Sequence, residues 1–151
     1  MSGRFSPPKD KAEFIKTLTG DDSPFNEMRD VVFFAAAVGY REQRRVPLTG
    51  KGEAIRWDVM KNRYATEELM DMLAVMQDPE DRELLSLARH DDRITILEEY
   101  ANGGLEFLRA RIHDAGAVSL QSVFVQLIQE YLVTADGTRD ESDLTSKILN
   151  L

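Results

Sequence analysis

Val31-Val32-Phe33-Phe34-Ala35-Ala36-Ala37-Val38 is the stretch on which the fold turns. Eight successive apolar residues leave no face for water over two turns, so a helix here belongs at the centre of a core or against a partner. A buried strand is the competing reading, opposed by the three alanines and by the signals upstream. Those signals are Asp21-Asp22-Ser23-Pro24, an N-cap followed by a proline suited to the first helical position. Gly39 stands where a C-cap belongs, so the second helix reads from about Pro24 to Val38.

Working outward, Asp10 with Glu13 resembles a capping box, and Phe14, Ile15 and Leu18 give a first short helix that stops at Gly20. Residues 1–8 read as a flexible lead-in. Tyr40 to Gly52 carries Gly, Pro and charge in proportions that break a helix, giving an irregular basic insertion, a loop or a loop with a short hairpin. Ala54 to Asp58 has the residue types of a brief strand.

Thr66 then opens a helix whose stripe is Leu69, Met72, Leu73 and Met76, and Asp78-Pro79-Glu80 starts a shorter one with Leu84, Leu85 and Leu87, stopping near His90. A long helix places Ile94, Leu97, Ala101, Gly104, Leu108 and Ile112 on one side and ends at Gly116. Gly103-Gly104 inside it costs about 1 kcal/mol per glycine relative to alanine. The favoured compensation is close approach of another backbone, with a break in the helix as the alternative. The last helix runs from Ser119 to about Val133, with Leu120, Val123, Phe124, Leu127 and Tyr131 inward. The expected architecture is all-α: a single compact domain over residues 1–133 with five or six helices, then a polar tail over 134–151 with a short amphipathic piece around Leu144 and Ile148.

With 151 residues, 42 % hydrophobic and 30 % charged, one core suffices and a low-complexity chain is excluded. The absence of cysteine removes disulfides and thiolate chemistry and suits a reducing cytoplasm. No apolar run approaches the roughly 20 residues of a membrane span, and the first residues lack a secretory signal. The net charge of −8 is uneven: residues 1–63 hold 12 cations against 9 acids, and residues 64–151 hold 7 against 18.

Catalytic chemistry has little to start from. His90 and His113 lack metal-ligand spacing, and Gly50-x-Gly52 is too short for a nucleotide loop, so no metal or cofactor is expected. The pairs Asp91-Asp92 and Glu98-Glu99 are adjacent in sequence, so on a helix their members point about 100° apart and read as an N-cap and a solvated face. The suggestive feature is basic: Arg41, Arg44, Arg45, Lys51, Arg56, Lys61 and Arg63, interleaved with Tyr40 and Trp57. Such forks and rings suit phosphates and unpaired bases, while arginines at a helix C-terminus also suit the helix dipole. Trp57 reads as core.

Three segments, Pro24 to Leu48, Glu53 to Asp58 and Ile96 to Leu108, together resemble the DNA phosphorothioation-associated protein 4 family, also labelled dnd system-associated protein 4. The words Phe-Ala-Ala-Ala-Val-Gly-Tyr and Glu-Glu-Tyr-Ala-Asn-Gly-Gly-Leu carry it, and it spans most of residues 8–133. The resemblance implies a prokaryotic defence locus in which sulfur replaces a non-bridging phosphate oxygen of DNA and companion proteins restrict unmarked DNA. It brings no catalytic motif. The expected role is a non-enzymatic accessory protein that contacts other proteins of this restriction system. The alternative is a direct DNA-binding regulator, a homodimer using the second helix and the basic insertion.

Overall fold

The computed structural model describes residues 3–62 and 65–137. Its axis is the helix His90–Ala115, named α5, whose 26 residues span about 39 Å at 1.5 Å per residue. From Ile96 to Leu105 nearly every side chain of α5 is buried, whichever way it points. Around it lie α1 (Ala12–Thr17), α2 (Met28–Arg41), α3 (Trp57–Met60), α4 (Thr66–Gln77) and α6 (Leu120–Gly137). Two short strands, β1 (Arg4–Phe5) and β2 (Ile55–Arg56), pair antiparallel with Arg4 opposite Arg56 and Phe5 opposite Ile55. The protein is thus all-α, a single domain with six helices among the described residues.

The contact between α2 and α5 sets everything else. A side chain at Gly104 would run into the carbonyl of Ala35, one at Gly39 into the carbonyl of Tyr100, and one at Gly103 into the carbonyl of Arg44. The glycine pair therefore remains helical because a second backbone lies directly on it, as its cost required. Gly39 is a correction: it ends nothing, since α2 continues to Arg41, and it is small because α5 touches it. The chain turns instead at Gln43, which takes a positive φ of 56°.

This seam separates two apolar clusters. Val32 and Ala36 of α2 join Phe5, Trp57, Met60, Met70, Leu84, Ile94 and Leu97 on one side. Val31, Ala35 and Val38 join Ile15, Leu18, Leu105, Leu108, Phe124 and Leu127 on the other. Phe25, Phe34 and Phe124 close the second cluster as a triangle of rings with centroids 5.1 to 5.5 Å apart.

Several local expectations are corrected. The helix α2 begins at Met28, because the Ser23 hydroxyl accepts from the Phe25 N–H and donates to the Leu18 carbonyl, closing a turn rather than capping a helix. Residues 3–8, expected as a flexible lead-in, are instead held: Gly3, Phe5, Ser6, Pro7 and Pro8 are buried, and the Gly3 and Pro7 carbonyls accept from Trp57 and Gly52 at 2.8 Å. The extended piece in the basic insertion makes no hairpin, because its partner is this N-terminal segment. The helix expected from Asp78 is two 3₁₀ turns, Arg82–Leu85 and Leu87–Arg89, which lead straight into α5. The last helix runs to Gly137, past the expected stop at Val133. Leu144 and Ile148 lie outside the described residues.

Candidate functional site

Of the seven candidate cations, the six described are distributed over several surfaces. After α2 the chain is laced to α5: the Val46 N–H donates to the Glu99 carbonyl, and the Asn102 amide donates to the carbonyls of Val46 and Pro47. This pins Arg45, whose Nε and Nη2 donate to Glu99 Oε1 at 3.2 and 2.8 Å while its guanidinium lies 6.0 Å from the Tyr100 ring centre. Arg41 stands 5.1 Å over Tyr131, and Arg44 5.4 Å over Phe107. Lys51 approaches Glu98 at 4.0 Å, Arg56 pairs with Asp58 at 2.9 Å and Lys61 with Glu67 at 3.9 Å. Arg63 lies outside the described residues. Each of these six cations thus has an internal carboxylate or ring, although exposed pairs such as Arg56–Asp58 contribute only about 0–1 kcal/mol and hold the charge loosely.

The antiparallel register creates a basic grouping that spacing in the sequence concealed. Arg4 stands directly opposite Arg56, and farther along the same pair of segments Pro8 bridges to Lys51 and the Lys9 N–H donates to the Gly50 carbonyl. Arg4, Lys9, Lys51 and Arg56 are all exposed.

The acidic pairs separate as helix geometry requires, but the expected N-cap and solvated face are corrected: Arg89 is the N-cap of α5, Asp91 and Asp92 fall in its first turn, and Glu98 is buried. Glu99 turns outward to Arg45, whereas Glu98 is 4 % exposed beside β1, accepts from the Ser6 N–H and has its carboxyl pushed up to about 7 by burial, against the opposing pull of Lys51. Asp92 pairs with Arg89. His90 is buried against the Trp57 ring at 5.7 Å, its Nε2 3.7 Å from Glu67. Trp57 itself is 3 % exposed, as a core residue should be. Among the described residues no group of three His, Asp or Glu is placed to hold a metal ion, and no helix is long and apolar enough to cross a membrane.

A different surface stands out. On α4 the buried stripe is Met70, Leu73 and Ala74, while Leu69, Met72 and Met76, expected to face the core with Leu73, are 48, 57 and 45 % exposed. With Phe33, Ala37 and Tyr40 of α2 they wall a groove of about 370 Å³. Met72 and Met76 also border a second hollow shared with Val75 and Leu85, so the apolar surface continues across α4. Contiguous apolar surface rimmed by polar residues marks interaction sites in soluble proteins. The signal was present in the sequence, since α4 carries apolar residues on more sides than one core can cover.

The class is thus an all-α domain packed around a glycine seam, with an uncovered apolar groove beside it. The model of the family DNA sulphur modification system-associated protein 4 matches residues 4–147, and the chain belongs to that family. Neither the curated proteins nor the solved structures yield a match.

Proposed function

We propose that this protein serves the DNA sulphur modification system as a non-enzymatic accessory component, acting in the cytoplasm through contacts with other proteins of the linked restriction machinery. The observation that carries the reading is the groove between α2 and α4, whose walls leave Leu69, Met72 and Met76 about half exposed. The test is co-purification with co-expressed components of the system. Wild-type protein should retain a component that Met72→Lys loses while still folding, and retention by Met72→Lys would sink the groove as the contact surface.

A second reading, direct DNA contact, is favoured by the cross-strand pair Arg4 and Arg56. Like charges directly opposite on a ladder are unfavourable, and a phosphate between them would relieve the repulsion. On this reading the interface is the β1–β2 edge with Lys9 and Lys51, and α2 takes no part. Replacing Arg4, Lys51 and Arg56 with Gln should lower the slope of log affinity against log salt by up to about 3. Absence of binding to duplex or single strands at low salt, with or without phosphorothioate, removes this reading.

A further inference from the structure

We infer that the groove between α2 and α4 receives an amphipathic helix from a partner protein, one whose apolar face is flanked at both ends by lysine or arginine. The inference rests on the protein-contact reading above and adds the chemistry of the occupant.

The lining excludes other ligand classes first. Small-molecule sites carry a few placed polar groups that fix orientation. Here the ten lining residues offer one polar side-chain atom, the hydroxyl of Tyr40. An extended peptide adding to a sheet needs a free edge. Both walls of this groove are helices, whose backbone groups bond within themselves. What remains is a surface that accepts apolar side chains and adapts to them. Met72 and Met76 are unbranched and polarizable, as in surfaces that accommodate varied helices, and Phe33 forms a firmer wall opposite. A helix laid in such a trough presents anchors at spacings of three, four and seven residues.

Charge then selects the partner's flanks. Residues 66–81 contain Glu67, Glu68, Asp71, Asp78, Glu80 and Asp81 and no lysine or arginine. Asp71 is committed to Arg93, Asp81 to Arg89 and Glu67 to Lys61. Glu68, in the first turn of α4, and Asp78 and Glu80, just past its end, are exposed and form no ion pair among the described residues. Among the described residues, acidic side chains without an ion pair therefore stand at both ends of the trough. The 12 residues of α4 cover about 18 Å, so a helix lying along it, in either direction, meets this charge with cations about three turns apart. A second copy is disfavoured, because a chain of net charge −8 would bring the same acidic rim against itself.

The experiment uses the full-length protein and two fluorescent 18-residue leucine-based amphipathic peptides that differ only at their ends, one flanked by lysines and one by glutamates. Anisotropy titration should show the lysine-flanked peptide binding at least tenfold more tightly. The preference should shrink with added salt, vanish in Met72→Lys, and reverse in the double variant Glu68→Lys, Glu80→Lys. Circular dichroism melting checks that each variant is folded. Equal or absent binding of the two peptides overturns the inference, as does sedimentation showing a dimer that Met72→Lys dissociates. If Met72→Lys loses its co-expressed partner while neither peptide is preferred, the occupant is wrong and the protein-contact reading stands. If partner capture is undiminished in that variant, both fall.

Discussion

Two of the neighbours of helix α2 meet it in opposite ways. Toward α5 it presents Ala35 and Gly39, and the backbones lie so close that neither Gly39 nor Gly104 has room for a side chain. Toward α4 it presents Phe33, Ala37 and Tyr40, which stand back from Leu69, Met72 and Met76 and leave a trough. Small residues make an interface that has one solution and tolerates no increment of volume. Large, flexible residues make one that tolerates rearrangement and remains incomplete within the described chain. The contrast separates what holds the fold from what is available to a partner, although both surfaces are apolar and belong to one helix.

The strongest way to break the contrast is at the seam. Gly104→Leu should abolish cooperative folding although helix propensity alone would favour it by up to about 1 kcal/mol. Gly39→Leu should do the same, since its side chain would enter the Tyr100 carbonyl. Thermal denaturation followed by circular dichroism reads both, and a raised melting temperature in either would show that the helices do not touch there.

Next in size is a pair of substitutions three residues apart on α2. Ala36→Asp buries an unpaired carboxylate at a site 2 % exposed and should cost several kcal/mol of a total of about 5 to 15. Phe33→Asp, on the half-buried trough side, should leave a folded protein of lower stability. Equal losses in urea melts would mean the trough is closed in solution.

A third effect is smaller and depends on pH. Glu98 is raised from an ordinary 4.5 to about 7, chiefly by burial. Between those values the unfolded chain releases the proton and the folded chain keeps it, so stability falls as pH rises through that window and levels off above about 7. Glu98→Gln removes the effect. Its melting temperature relative to wild type should rise from pH 5 to pH 8, by the equivalent of about 2 kcal/mol at about 1.4 per pKa step. A difference that does not change with pH would place the carboxyl in water.

The smallest expected change is on the trough itself. Leu69→Ser and Met72→Ser should each alter stability by less than about 1 kcal/mol, because both side chains are about half exposed. A larger loss in either would sharpen the contrast into a gradient, with α4 also part of the supporting core.

How far the sequence revealed this depends on which forces act locally. The glycines of α5 were legible because a helix keeps Gly103-Gly104 only for a reason, and the inward face of α6 was legible from its spacing. The start of α2 was misread because Ser23 has the same residue type whether it caps a helix or closes a turn. β1 was invisible, since two residues carry no periodicity and their partner lies some 50 positions away. The partners of the basic stretch were not legible, because neighbours in sequence need not be neighbours in space. Glu99, Asp58 and Glu67 each draw off one cation, while Arg4 joins Arg56 from a strand some 50 positions away in sequence. On α4 the spacing was correct and the phase was not, because two apolar stripes at one period cannot be ranked without the helix they pack on.

The segment from Gly3 to Pro8 carries a consequence for synthesis. It is translated before its bonding partners, which arrive only with Gly52 and Trp57, and before the α5 surface it covers, which arrives only with Ile94 and Glu98. At about 5 to 20 residues per second, the ninety residues between Pro8 and Glu98 take about 5 to 20 s to make. Throughout that interval Phe5 has no α5 to bury it. The nascent chain therefore emerges with the Phe5 side chain available to chaperones, and the closure of the cluster around Phe5 waits for the central helix to emerge.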